Sequence, residues 1–338
     1  MKHYRVGIIG ATGMVGQRFA TLLENHPWFE VKALAASPRS AGKTYEEAAG
    51  KRWAMQIPMP EAMKNMIVLN AVDDIEKIGK LVDFVFCAVD MKKDEIKALE
   101  EKYAKAEIPV VSNNSAHRGT PDVPMVVPEI NDDHIQIIEA QRKRLGTKKG
   151  FIAVKSNCSI QSYVPALHPL REYGITKVLA CTYQAISGAG KTFESWPEMV
   201  DNLIPFIGGE EEKSEQEPLK VWGHIEGDKI INASEPSITT QCLRVPVSDG
   251  HTAAVFVSFD KKPSSCLIPV FASLSDLALI TSITDSACNK SILPFKNALL
   301  VNSPGSARSA PFFKHNSSIF LTIKFPPCEF ISHIFSVV

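Results

Sequence analysis

The run Lys155-Ser156-Asn157-Cys158-Ser159-Ile160-Gln161 sets a cysteine where an extended stretch, Phe151 to Val154, gives way to an apolar, helix-like one. A sulfur at the mouth of a helix sits among unsatisfied N–H groups and the positive end of the dipole. Both favour thiolate over thiol, and a thiolate is a nucleophile. Arg244 and His251 stand around a Ser248-Asp249-Gly250 turn, an arrangement that presents an arginine from one strand and a histidine at the start of the next. Arginine offers a planar fork for a carboxylate, and histidine shuttles a proton near neutral pH. Glu210 and Lys213 are spaced to share one side of a helix. Taken singly, a cysteine is more often packing and such an ion pair more often a solvated one. Taken together with a nicotinamide site they point to thiol-based aldehyde chemistry.

That nucleotide site is legible in the first half. Arg5 to Ile9 is a short apolar run suited to a buried parallel strand. Gly10-Ala11-Thr12-Gly13-Met14-Val15-Gly16 follows, then a helical pattern in Val15, Phe19, Leu22 and Leu23, then a second strand from Phe29 to Ala36. Strand, glycine turn, helix and strand form the context of a dinucleotide fingerprint, whose glycines admit a pyrophosphate to a helix N-terminus. After the second strand the chain reads Ser37-Pro38-Arg39-Ser40-Ala41-Gly42-Lys43, hydroxyls and cations rather than a carboxylate. That suits a 2′-phosphate, so NADP is expected over NAD. The alternation continues with a strand at Val82 to Val89, a helix at Lys93 to Ala106 and a strand at Ile108 to Ser112. Arg118 lies in the loop after that strand, where ligands of such sheets bind.

From about residue 151 the pattern becomes α+β. Strand-like runs occur at Lys177 to Gln184, Pro236 to Val245 and Thr252 to Phe259. Ser187-Gly188-Ala189-Gly190-Lys191 is a tight turn after a strand and lacks the Walker spacing. The expected class is therefore α/β, an N-terminal Rossmann-type domain (1–150) followed by an α+β catalytic and dimerisation domain (151–263). The 338 residues carry zero formal net charge, so nothing points to nucleic acid or an acidic membrane. Seven scattered cysteines with no C-x-x-C argue against a disulfide framework or a metal site and for a reducing, cytoplasmic setting. The opening Met-Lys-His-Tyr runs into a strand, so no signal peptide is expected, nor is a spanning helix.

The stretches Gly10 to Gly16, Ser37 to Lys43, Ser112 to Arg118, Val127 to Asn131, Ser156 to Gln161, Thr182 to Gly190, Ile204 to Lys213 and Leu243 to Thr252 make the chain resemble aspartate-semialdehyde dehydrogenase, most of all its archaeal and fungal branch. The resemblance covers residues 1 to about 263 and implies roles. Cys158 would be the nucleophile, His251 the acid/base, and Gln184 would orient the substrate beside the sulfur. Arg244 would bind the substrate carboxylate, Glu210 its amino group, and Arg118 and Lys213 its phosphate. Gly10, Thr12, Gly13, Met14, Val15, Ser37, Arg39, Ser40 and Gly188 would contact NADP. The implied reaction is reduction of L-4-aspartyl phosphate to L-aspartate 4-semialdehyde with release of phosphate, through a cysteine thioester, on the way to lysine, threonine and methionine. The family implies a homodimer or homotetramer. A sister reductase acting on malonyl-CoA or N-acetyl-glutamyl phosphate is the nearest alternative within the enzyme class.

Residues 264–338 do not continue the resemblance. They hold eight charged residues, Asp276, Asp285, Lys290, Lys296, Arg308, Lys314, Lys324 and Glu329, too few for an ordinary soluble surface, and show no sustained helix or strand period. The reading is a frame-shifted or otherwise aberrant tail. An inactive nucleotide-binding remnant is the alternative from another class.

Overall fold

The computed structural model describes residues 3–261 and the backbone of two further strands. In chain order the first elements are β1 (Tyr4–Ile9), α1 (Met14–Leu22), β2 (Phe29–Ala36), α2 (Tyr45–Ala49), α3 (Glu61–Lys64), β3 (Val68–Asn70), α4 (Ile75–Leu81), β4 (Phe84–Cys87), α5 (Lys93–Lys105), β5 (Val110–Ser112), α6 (Pro128–Asn131), α7 (Ile138–Leu145) and β6 (Ile152–Val154). The strands form one parallel sheet in the order β3-β2-β1-β4-β5-β6. Its centre is apolar because both faces are covered. Val6, Ile8 and Ile9 of β1 are fully buried, and so is nearly all of β4. Phe19 of α1 stacks on Phe86 of β4 with centroids 4.9 Å apart, which seats the helix on the sheet.

The glycine turn between β1 and α1 is held from below. Gln17 is buried, and its side-chain amide donates to the carbonyls of Thr12 at 3.1 Å and Arg52 at 3.0 Å. The Tyr45 hydroxyl donates to the Ala11 carbonyl at 2.8 Å. Gly10 has φ +90°, and a Cβ there would lie 2.3 Å from the Ala88 carbonyl oxygen. A Cβ on Gly16 would lie 2.2 Å from the Gly10 carbonyl oxygen. Gly13 differs, since its Cβ would meet nothing closer than 3.5 Å. Two glycines are thus demanded by the fold, and the third leaves open space at the N-cap of α1.

The chain then runs through α8 (Val164–Leu167), β7 (Ile175–Gln184), α9 (Glu210–Val221), β8 (His224–Glu226), β9 (Lys229–Ile231), β10 (Ser237–Arg244), β11 (His251–Phe259), β12 (Ala278–Ile283) and β13 (Ser318–Lys324). The second sheet has the order β10-β7-β11-β13-β12. Strands β10 and β7 are parallel, and the other neighbours are antiparallel. The described residues divide into two compact units. One holds the chain through Ser156 with Gly223–Asn232, and the other holds Asn157–Trp222 and continues from Ala233. The division falls after β6 rather than at residue 150, because β6 pairs with β5 in the first sheet. The β8–β9 hairpin was not anticipated. It belongs to the first unit, where the Ile230 N–H donates to the Pro121 carbonyl at 2.9 Å.

The absence of a strand period expected after residue 263 is corrected. Ala278–Ile283 and Ser318–Lys324 are strands of the second sheet. Ser-Ile-Phe-Leu-Thr-Ile-Lys is rich in β-branched and aromatic residues but does not alternate, so its propensity was visible and its period was not. The rest of the supposed aberrant tail lies outside the described residues. No helix among the described residues is long and apolar enough to cross a membrane.

Gly10→Ala should lower the urea midpoint by the equivalent of roughly 2 kcal/mol or more, through a strained φ and a backbone clash. Gly13→Ala should stay within about 1 kcal/mol of the parent. Equal losses in the two variants would contradict this division of roles.

Candidate active site

Cys158 does not cap a regular helix. Past it the backbone makes a turn, a 3-10 segment at Ile160–Ser162, the four residues of α8 and a second 3-10 segment at His168–Tyr173, with Tyr163 at φ −136° and Pro165 in the first turn of α8. The expected dipole support is therefore weak, because a macrodipole needs a run of aligned peptides. Side chains take its place. Cys158 is exposed, and its Sγ lies 3.2 Å from His251 Nε2. Cys87 and Cys242 are buried, and burial raises both of their thiol pKa values, so they are poor nucleophiles.

Strand register assembles the partners. Gln184 ends β7, Arg244 ends β10 and His251 begins β11. Gln184 pairs with Arg244 on one side and with His251 on the other. Paired residues on neighbouring strands project to the same face, so the three form one row across the sheet. All three are buried. The next residue, Ala185, orders the row with its backbone. Its N–H donates to His251 Nδ1 at 3.1 Å, and its carbonyl accepts from Arg244 Nη1 at 2.8 Å.

Burial disfavours the imidazolium of His251, but the Cys158 sulfur outweighs it and lifts the pKa above the ordinary histidine value. For Arg244 burial dominates and lowers the pKa, against the opposing pull of the Cys158 sulfur and the Glu210 carboxylate. A cysteine, a proton-holding histidine and a buried guanidinium thus lie together, as nucleophilic attack on an acid derivative requires.

Helix α9 supplies the other charges. Gly209, at φ +73°, turns the chain into it, and Ile204 is bridged to Arg244 by two backbone hydrogen bonds of 3.0 and 2.9 Å. Glu210 and Lys213 fall one turn apart as expected and pair at 2.7 Å. Glu210 also accepts from Asn157 Nδ2 at 2.9 Å. Gly188 lies beside Arg244 and His251. A Cβ on it would approach Arg244 Nη1 to 2.7 Å and His251 Nε2 to 3.1 Å. Arg118 lies in the first unit, where its Nη2 donates to the Asn113 carbonyl at 3.1 Å. Sequence reasoning missed Asn157 as a contributor, although it adjoins the cysteine. The one available signal was the pair of carboxylates two turns apart on α9.

The first unit fits a dinucleotide. Helix α1 begins at Gly13 with no side-chain cap and no acidic residue in its first turn, so its leading N–H groups suit a pyrophosphate. Gly13 and Val15 are exposed, Gly10, Thr12 and Met14 half-buried. At the end of β2, Ser37 and Arg39 are exposed and Ser40 is buried, with no carboxylate through Lys43.

Gly188→Ala should leave thermal stability within about 1 kcal/mol while raising KM for a carboxylate-bearing substrate at least tenfold, because the new methyl displaces Arg244. An unchanged KM would show that the close approach has no consequence.

The family model described as semialdehyde dehydrogenase, NAD binding domain, matches residues 5–138, and the one described as semialdehyde dehydrogenase, dimerisation domain, matches residues 167–277. The second match runs past residue 263, where the sequence resemblance was placed to end. The chain is 42% identical over 280 residues to the aspartate-semialdehyde dehydrogenase of Archaeoglobus fulgidus, covering 82% of this chain and 79% of that one. It is 39% identical over 285 residues to the Saccharomyces cerevisiae enzyme, covering 80% and 75%. The crystal structure of the Candida albicans enzyme with NADP superposes with a TM-score of 0.68 at 38% identity, over 78% of this chain and 73% of that chain. The archaeal and fungal likeness read from the motifs is thereby met, and the chain belongs to the aspartate-semialdehyde dehydrogenase family.

Proposed function

We propose that this chain reduces L-4-aspartyl phosphate to L-aspartate 4-semialdehyde with release of phosphate, in the cytoplasm, as a step toward lysine, threonine and methionine. The observation that carries the reading is the Cys158 Sγ to His251 Nε2 distance of 3.2 Å at the end of the Gln184–Arg244–His251 row. Cys158 attacks the acyl carbon, and the carbon–oxygen bond to phosphate breaks, leaving a thioester on the sulfur. NADPH, when bound, supplies a hydride. Gly10, Thr12, Gly13, Met14 and Val15 would hold its pyrophosphate, Ser37, Arg39 and Ser40 its 2′-phosphate, and Gly188 its nicotinamide side.

Arg244 binds the substrate's α-carboxylate through its planar fork. Glu210 receives the α-amino group, and Lys213 and Arg118 offset the charge of the phosphate as it leaves. Gln184 orients the carbonyl beside the sulfur. His251 holds the proton that is passed on when the tetrahedral adduct collapses and the sulfur departs. Covalent catalysis divides one difficult displacement into two easier steps.

We also propose that two copies associate through the open face of the second sheet. Leu179 of β7 and Phe256 of β11 are register partners, 52% and 43% exposed, and Tyr183 is 37% exposed on the same face. Three large side chains exposed on one sheet face suit an association surface, and they lie within the stretch matched by the dimerisation-domain model.

Phosphate-dependent NADP reduction with L-aspartate 4-semialdehyde, compared with coenzyme-A-dependent malonate semialdehyde oxidation, tests the substrate. Only the first should proceed efficiently, and Cys158→Ala should abolish it. Since the His251 pKa lies above 6.5, the protonated ring persists past that pH. The reductive rate should therefore fall on an alkaline limb with a midpoint above 6.5 that disappears in His251→Gln. Leu179→Asp combined with Phe256→Asp should shift sedimentation from dimer or tetramer to monomer. A parent protein that sediments as a monomer would refute the proposed surface.

A further inference from the structure

Among the glutamates of helix α9 is a buried one, Glu217, that none of the substrate roles uses. Glu217 follows Glu210 by seven residues, just under two helical turns, so both project to the same side. It is 7% exposed. Its Oε2 accepts the backbone N–H of Asn157 at 2.5 Å. Asn157 precedes the nucleophile and is itself 2% exposed. Its Nδ2 donates to Glu210 Oε2 at 2.9 Å, and its Oδ1 accepts the Ser159 N–H at 2.6 Å. Both flanks of Cys158 are therefore tied to one asparagine. That asparagine is tied, by main chain and by side chain, to two carboxylates of one helix.

What holds the Asn157 peptide in one place is an acceptor oxygen at this reach from α9, which a side chain one methylene shorter does not supply. The Sγ of Cys158 needs such a hold, because the turn carrying it lacks a regular helix and the sulfur must stay within reach of His251. Small misplacements of a reacting atom cost large factors in rate.

We propose that Glu217 is a positioning residue: by gripping the Asn157 peptide it keeps Cys158 against His251, and through Asn157 it links the placement of the sulfur to Glu210. The inference rests on the proposed catalytic roles of Cys158 and His251. It predicts that contact with Glu210, the group that receives the substrate's amino end, and placement of the nucleophile are set by the same helix.

The test compares Glu217→Asp, which keeps the charge but falls short by one methylene, with Glu217→Gln, which keeps an acceptor at the same reach. Both are measured in the full-length protein for melting temperature, for kcat and KM with L-aspartate 4-semialdehyde, and for the pH profile of Cys158 alkylation by iodoacetamide. Glu217→Asp should lower kcat at least tenfold, displace the alkylation profile and leave KM for NADP within about twofold. Glu217→Gln should retain most of kcat. A folded Glu217→Asp protein with the parent's kcat and alkylation profile would overturn the proposal. So would a Glu217→Gln protein as impaired as Glu217→Asp, or variants that lose only melting temperature. Failure of the underlying reading shows differently, as a parent protein that turns over substrate with Cys158 replaced by Ala.

Discussion

One peptide residue sets the geometry on which the catalytic unit depends. Ala185 follows the last residue of β7, and its backbone serves two neighbours at once, the imidazole of His251 through its N–H and the guanidinium of Arg244 through its carbonyl. Both neighbours end or begin strands that flank β7, so the sheet's hydrogen-bond ladder determines where their side chains project. A slip of one residue on either side would send the histidine or the arginine to the opposite face. Register is thus the constraint, and the chemistry inherits it.

The nucleophile reaches this row by a different route. Cys158 sits in an irregular turn with no ladder of its own, and α9 holds the turn through Asn157. The same helix presents Glu210 and Lys213. The second unit therefore joins two rigid supports, a sheet that carries Gln184, Arg244 and His251 and a helix that carries Glu210 and Lys213. Gly188 leaves the space between Arg244 and His251 open, since any side chain there would collide with both.

Much of this was legible in the residues. The glycine turn after β1, the cation-rich stretch after β2, the cysteine, the Glu210–Lys213 pair and the Arg244/His251 turn were all visible as types and spacings, and the main strands lie within a few residues of their expected bounds. Cys158 was read as capping a helix because an apolar stretch follows it. Tyr163 and Pro165 break that stretch into short pieces, and periodicity cannot show such a break. The alignment of Gln184 with both Arg244 and His251 is a long-range property of pairing that no local pattern encodes. The hairpin β8–β9 belongs to the first unit although the sequence places it in the second half, and only tertiary contact assigns it. That a side chain on Gly188 would meet both Arg244 and His251 is likewise a tertiary property, which the turn Ser187 to Lys191 does not encode.

The central claim is that the acyl group passes through a covalent bond to Cys158 while His251 governs the proton. Its most direct measurement is peptide-resolved mass spectrometry of the protein incubated with L-aspartate 4-semialdehyde and NADP in the absence of phosphate, followed by addition of phosphate. The account predicts an aspartyl adduct confined to the peptide containing Cys158, formed together with NADPH and discharged when phosphate is added. Steady NADP reduction with no adduct on that peptide, or an adduct on another residue that phosphate discharges, would contradict it.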